Sequence, residues 1–514
     1  MKKFIALFLA ALSILAMAPA LSLAADLEPM DISISLWDID KSFPEGQPPT
    51  KIRKAIEDKF NVTFSPMIFG WGDGEEKLNL WAATGTLPDI TGGAAWVGSG
   101  TYISWVDDGV VRALPDDLSA YPNIDQYMGL PEVTAYQKNG KNYFFPRMTY
   151  TDPRYWCMDR GLLIRKDWLD ILGLEMPNNT DDLMDVIKAF TEQDPGEVGA
   201  IGFAFNAVFP FSQQIASFGY TDNRWIKMGD DWKQPCFEET VIPLTDWCRT
   251  AYKNGWMDQD FASRATNDPR ELFSAGRIGV LAYQNSPKHV NLLRNLWMTA
   301  QPDKDFMECV GIVPLQSDIA TQFQEMAYWS ETYVSSAVDD AKMERILMLM
   351  DYLYSDEGVL WTMYGEEGVD FYYDDNGEIV VTLPIDPESG KMLTMTEAYP
   401  DSEFVSYLAA WNGDMIQYID PSIPADLREM CTAEFERRRD NWIFPDLDFE
   451  VASLDLPEKI EMTARASIQW STIVADTSDT PTEELYQQAL AEWNSQGYEA
   501  CWQAVTAAAR AMGK

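Results

Sequence analysis

Between Lys141 and Leu174 the chain reads KNYFFPRMTYTDPRYWCMDRGLLIRKDWLDILGL, and this stretch constrains the fold more than any other. Six rings (Tyr143, Phe144, Phe145, Tyr150, Tyr155 and Trp156) crowd its first half, with neither helical spacing nor strict alternation. Pro146 and Pro153 bracket them. Proline lacks a backbone donor and is confined to strand edges and extended segments, so an extended crossing segment fits better than one face of a regular element. The second half reads as a strand passing into a helix that opens at Lys166. The rings can line a gap between two lobes that the backbone crosses here, or they can fill a core strand. Composition alone tilts toward the core.

At 514 residues the chain exceeds what one core serves, so two lobes are expected. Residues 1–24 carry Lys2 and Lys3, an apolar run from Phe4 to Met17 and a small-residue end, the layout of a secretory signal. No later segment stays apolar and uncharged for about 18 residues, so an exported, soluble mature protein is expected. Removing the signal leaves 37 cationic against 81 acidic side chains, a net −44. Such a surface repels nucleic acid and anionic membranes, which makes both poor partners. A polyanionic ligand would need a local cationic pocket, and Arg147, Arg154, Arg160 and Arg165 are the nearest dense supply. Six cysteines suit three disulfides or buried thiols equally. With one histidine, His289, and no cysteine pair at ligand spacing, zinc is not expected.

Along the chain, DISISLW (Asp31 to Trp37) predicts a strand delivering Trp37 and Asp38 to its C-terminal end, where open α/β sheets place ligands. A helix over Thr50 to Phe60 and a strand over Val62 to Phe69 follow, a succession that favours a mostly parallel sheet. Glu75 to Thr84 predicts a helix and Leu87 to Ile90 a short strand, then the glycine-rich loop GGAAWVGSG holds Trp96. That loop lacks the Lys and Ser/Thr of a phosphate-binding loop. Trp71, between Gly70 and Gly72, is a third tryptophan on a loop, where a ring must pack or bind something. Residues 107–127 read as a loop with one short helix, and Leu183 to Phe190 as a helix capped by Thr180. IGFAF, GVLAY and GIVPL read as strands, WIKMGDDWKQ as a hairpin, Met326 to Val338 as a second crossing, and Asp340 to Tyr354 as a strong amphipathic helix.

Seven segments, LWAATGTLPDI, GKNYFFP, IRKDWLDILGLEMPNNTDDL, YKNGWMDQDF, FSAGRIGV, YSDEGV and GEEGVDFYYDDNGEI, stand in the order and spacing of extracellular solute-binding proteins of family 1. The chain resembles the long branch that serves importers of oligosaccharides and polysaccharide fragments, including alginate-binding proteins. LYQQALAEWNSQGYEACWQAVTAAARA is similar to that branch's final helices. The resemblance implies an α/β, two-lobed periplasmic-binding-protein-like fold of type II. Each lobe would be a mostly parallel sheet flanked by helices, with extra C-terminal helices. It places 25–148 with 281–333 in lobe 1, and 149–280 with 334–514 in lobe 2. Crossings are implied at Phe145 to Tyr150, near Leu281 and at Tyr328 to Val334. A monomer is implied that binds a carbohydrate in an aromatic cleft between the lobes and hands it to the permease subunits of an ATP-driven importer, without a cofactor. The implied contacts are Trp37, Asp38, Trp71, Trp96, Arg154, Tyr155, Trp156, Phe211, Tyr283, Trp329, Glu367 and Trp411.

Two departures from the branch stand out. After Asp194 and Pro195 the chain continues Gly196, Glu197, Val198, Gly199, which strips an acidic calcium loop of most of its oxygen ligands and argues against that ion. Ala24 and Ala25 occupy the place of an anchoring cysteine, which leaves surface retention unsupported. A pyranose offers an apolar C–H face to tryptophan and a hydroxyl fringe to Asp, Glu, Asn and Arg, with each ring contact contributing about 0.5–1.5 kcal/mol beyond area burial. The rivals are a secreted glycoside hydrolase, with Glu366 paired to Asp370 or Asp38, and a non-transport binding or sensor protein of the same fold.

Overall fold

A computed structural model describes residues 27–514 except 71–72, 94–96, 98, 150–159, 206–216, 220, 222, 265–267, 322–326, 378, 388–389, 391, 411–416, 419, 421, 446, 457 and 460–462, and the side chains of 463–467. In chain order the strands are β1 (Met30–Ser35), β2 (Val62–Pro66), β3 (Ile90–Gly92), β4 (Phe145–Met148), β5 (Arg160–Arg165), β6 (Ile201–Phe205), β7 (Ile226–Met228), β8 (Asp231–Lys233), β9 (Ile278–Gln284), β10 (Val310–Ile312), β11 (Tyr328–Val334), β12 (Phe371–Tyr373) and β13 (Ile379–Val381). The chain forms two compact units, one from the described parts of 1–151 and 326–413, the other from those of 152–325 and 414–514.

The first unit is built on a sheet of order β2-β1-β3-β11-β4. Alternation in β1 buries Ile32 and Ile34, while Ser33 on the opposite face binds the Asp89 carboxylate through its amide (2.8 Å) and hydroxyl (2.9 Å). Thr50 caps the helix Lys51–Phe60, and Asn61, left-handed at φ 47°, ends it and turns the chain into β2. Strand β1 is parallel to β2 and β3, as expected, but β11 runs antiparallel to β3 and β4, so the sheet is mixed. The reason is topological: β4 leads the chain out of the unit and β11 leads it back in. β4 is an edge strand, the position that tolerates Pro146. The helix Asp340–Tyr354 has its predicted bounds and buries Ile346, Leu347, Met350 and Leu353.

The second unit carries a sheet of order β10-β5-β9-β6. Here β9 is parallel to β6 and antiparallel to β5, which also pairs antiparallel with β10, so this sheet is mixed too. Its strands are apolar on both faces. Leu162, Ile164, Phe203, Phe205 and Val280 pack with Trp168, Trp247 and Trp470, and Leu163, Ala204, Leu281 and Tyr283 pack with Trp297 and Phe306. Helices cover both sides, which is why these runs are continuous rather than alternating. The helices Thr463–Ala475, Thr482–Ser495 and Tyr498–Ala511 belong to this unit and pack on the helix Ile242–Lys253 and on β8.

Several expectations need correction. Residues 281–325 fall in the second unit, because β9 is hydrogen-bonded between β5 and β6; Leu281 is an interior strand residue, not a crossing. Residues 334–413 fall in the first unit, and the chain passes between units near 151, 325 and 413. The helix Gly100–Asp107, which lies between the two loops read from the sequence and was not assigned there, is capped by Ser99 and buries Tyr102, Trp105 and Val106. Asn179, not Thr180, caps the helix Thr180–Gln193, accepting from the amides of Asp181 and Asp182. Of the two readings left open for the cysteines, buried thiols hold for Cys236, Cys248, Cys309, Cys431 and Cys501, and burial pushes the Cys248 thiol up. Cys157 lies outside the described residues.

Candidate functional site

The first unit gathers aromatic rings around one buried cation. Arg147 on β4 is fully buried, its guanidinium carbon 4.4 Å from the Trp37 ring centre, 5.9 Å from Trp329 and 6.0 Å from Tyr407. It donates to the Tyr407 carbonyl and to the Ser330 hydroxyl (2.6 Å). Trp37 meets Trp329 edge-on at 5.5 Å and Tyr407 near-parallel at 6.5 Å. Elements far apart in the sequence thus converge: the end of β1, strands β4 and β11, and the helix Ser402–Ala409.

Local backbone features aim the rings. Between the pairs Tyr328 with Met148 and Glu331 with Pro146, two residues of β11, Trp329 and Ser330, oppose one of β4, Arg147, and Ser330 takes φ 61°. This bulge leaves Trp329 half-buried between the buried Tyr328 and Ser330. Gly93 has φ 65°, and a β-carbon there would sit 1.8 Å from Trp37 Cζ3, so only glycine lets the indole lie against this loop. The Gly93 amide donates to the Glu331 carbonyl (2.8 Å), tying the glycine loop to the bulged strand.

Glu331 is buried beneath this cluster. Loss of water pushes its carboxyl up to about 8, against the pull of the Val97 amide, the Tyr333 hydroxyl (3.3 Å) and the Arg147 charge. Neutral at physiological pH, it sits among Tyr102, Tyr328 and Tyr333, whose phenols burial drives upward as well.

The predicted contacts divide sharply. Trp37, 8% exposed, and Trp329 share the cluster, and Asp38 follows Trp37 in left-handed backbone at φ 56°, its carboxylate paired with Lys41 (2.8 Å). Glu367 is in the same unit, exposed, on a tight loop where it bridges to Phe371. Tyr283 is 2% exposed in the second unit's core, 6.3 Å from the His289 ring, and its sequence signal was that of any buried β-strand. Trp71, Trp96, Arg154, Tyr155, Trp156, Phe211 and Trp411 lie outside the described residues. Arg147, Tyr407 and Glu331 were missed as members. Charged side chains in strands carry no sequence signal of being interior until their partners are known.

A family model described as a bacterial extracellular solute-binding protein matches residues 51–365, more than half of the chain. The chain belongs to that family. Among curated relatives of this solute-binding protein is the polygalacturonan/rhamnogalacturonan-binding protein YtcQ of Bacillus subtilis (strain 168). It is 26% identical over 244 residues, covering 46% of this chain and 46% of YtcQ. Another is the fructooligosaccharide ABC transporter substrate-binding protein FusA of Streptococcus pneumoniae serotype 4, 34% identical over 175 residues, 29% of this chain and 30% of FusA. The alignments thus span less than half the length of these two relatives. The alginate-binding protein AlgQ2, solved without calcium ion, superposes with TM-score 0.69 at 17% identity, covering 94% of this chain and 98% of that one. The fold of this solute-binding protein is therefore the two-domain α/β fold expected, and its family is one of extracellular binding proteins.

The Asp194 loop of this solute-binding protein does not fit a calcium site. Asp194 (φ 42°) accepts from the amides of Val198 (3.0 Å), Gly199 (3.0 Å) and Ala200 (3.1 Å). Burial opposes ionisation, yet these three donors hold the carboxyl below its usual range. Its oxygens are committed to the backbone rather than turned outward as ligands.

Proposed function

We propose that this protein captures an oligosaccharide or polysaccharide fragment outside the cell and delivers it to the permease subunits of an ABC importer, acting as a monomeric binding protein and not as an enzyme. The observation that carries the reading is the half-buried Trp329 ring, aimed by the bulge and braced by Trp37 and Arg147. Such a platform suits the apolar face of a sugar. Among the described residues, Trp37, Asp38 and Trp329 are the contacts this reading uses, and Tyr283 packs in the second unit's core. The names of YtcQ and FusA support a glycan ligand, and family membership supports export.

Of the carboxylates named for the hydrolase alternative, Asp370 does not suit the role of general acid. Asp370 is buried, bonded to Lys51 (2.6 Å), the Tyr399 hydroxyl (2.7 Å) and the Glu366 amide (2.7 Å). Burial works against its charge, but these partners hold its pKa below the ordinary range, the wrong direction for a general acid. It fastens the loop that carries Glu366.

A thermal-shift screen over mono- and oligosaccharides tests the reading, because a ligand bound only by the folded state raises Tm. Trp329→Ala is expected to abolish the shift while moving the unliganded Tm by a few degrees at most. A variant that responds to the glycan like the wild type would refute the ring's role.

A further inference from the structure

Glu331 is buried, yet it joins the two backbone segments that seat the rings of the proposed platform. Its carbonyl accepts from the Gly93 amide (2.8 Å) and its carboxyl from the Val97 amide, so both ends of the 93–97 turn are bound to one residue. Gly93 is the glycine against which the Trp37 indole lies. On its N-terminal side Glu331 closes the bulge: Trp329 and Ser330 precede it, and the Ser330 hydroxyl accepts from Arg147 (2.6 Å). The position of Trp37 and that of Trp329, 5.5 Å apart, are thus both set from Glu331.

An uncharged amide side chain would accept from Val97 without a proton to lose, so the carboxyl adds something a tie alone does not need. The groups that face it are Arg147 from β4, Tyr328 and Tyr333 from β11, and Tyr102 from the helix Gly100–Asp107. Behind Tyr328, Glu132 of the helix Pro131–Thr134 accepts the Ala327 amide on its carboxylate (3.2 Å) and the Tyr328 hydroxyl on its carbonyl (3.0 Å). Arg147 is the one cation among these groups, and loss of water outweighs it, so the carboxyl stays neutral up to about pH 8. A sugar laid on the half-buried Trp329 takes further water from the cluster and penalises the charged form again. Ligand and proton therefore favour each other, and the coupling is reciprocal.

We propose that Glu331 is a positioning residue of the platform: without touching the ligand it sets Trp37 through the 93–97 turn and Trp329 through the bulge, and it makes glycan capture draw a proton from solvent. The inference rests on the carbohydrate reading and adds a control to the same site. The sign follows from which state holds the proton. Well below pH 8 free and liganded chains both carry it, and affinity is flat. Above pH 8 the free chain has released it and binding must take it back, so affinity falls as pH rises.

The test is calorimetric titration of the full chain with kestose, maltotriose, xylotetraose, mannotriose and trigalacturonate, in pairs of buffers that differ in ionisation enthalpy. For a probe that binds, the buffer pairs are expected to show proton uptake near about pH 8.5 and none near about pH 6, with affinity about tenfold lower near about pH 9.5 than near about pH 7. Glu331→Leu, which removes the acceptor for Val97, weakens the probe about tenfold near about pH 6, a factor of ten being one pKa unit's worth of coupling. Glu331→Gln restores the acceptor, rescues binding there, and abolishes both the proton uptake and the fall at high pH. If a probe binds but Glu331→Gln keeps the wild-type pH profile, or if Glu331→Leu folds and binds like the wild type, the inference falls and the carbohydrate reading stands. Binding of no probe overturns both.

Discussion

Glu331 shows how one residue's setting writes a pH dependence into the fold. The folded chain holds its proton up to about pH 8, whereas an unfolded glutamate releases it near about 4.3. Between those values the unfolded state binds fewer protons, so this residue's contribution to stability falls as pH rises, then levels off above 8. Glu331→Gln removes the slope. Denaturant melts are expected to show the variant close to wild type near pH 5 and more stable by about 2–4 kcal/mol at pH 8.5. Equal gaps at both pH values would mean that Glu331 is ionised in the folded protein. Arg147 does not carry the opposite dependence, since a guanidinium stays charged throughout this range.

At the scale of elements, carboxylates fasten loops from within. Asp194 gathers three amides of the turn after the helix Thr180–Gln193, and Asp370 ties its own loop to Lys51 and Tyr399. Arg249 does the same for the turn before the helix Thr482–Ser495, donating to the carbonyls of Asp476 (2.8 Å), Thr480 (2.7 Å) and Ser478 (3.0 Å). Asp194→Ala should therefore lower stability by about 1–2 kcal/mol, as loss of a cap does. Adding EDTA to the wild type should leave its Tm unchanged. A Tm that drops with EDTA and recovers with calcium would show that the loop holds the ion after all.

For the whole molecule, two cores are maintained separately. The last helices bring Tyr486 and Trp493 onto Phe237 and Cys236, with Trp493 meeting Phe237 edge-on at 5.1 Å. Trp493→Ala is expected to cost about 3–5 kcal/mol. By hydrogen exchange, protection should fall in peptides of the second unit, such as 236–253 and 482–511, while those of β1 and β11 keep theirs. Uniform loss across the chain would show that the two units unfold as one.

Read from the sequence alone, the α/β class, the two-part organisation, the family resemblance and the type of most of the elements it named were correct; their ends were mostly displaced, although both ends of the helix Asp340–Tyr354 match. Those properties depend on neighbours within a few positions: apolar period, caps and turn glycines. What only the tertiary structure decided was which residues face each other. Arg147 reaches Tyr407 across 260 positions, Tyr283 turns into a core face, and β9 pairs inside the second unit instead of leading back to the first. A side chain's burial, and with it the ionisation of Glu331 or the aim of Trp329, follows from strands that meet only after the chain has folded. Local spacing holds no record of that meeting.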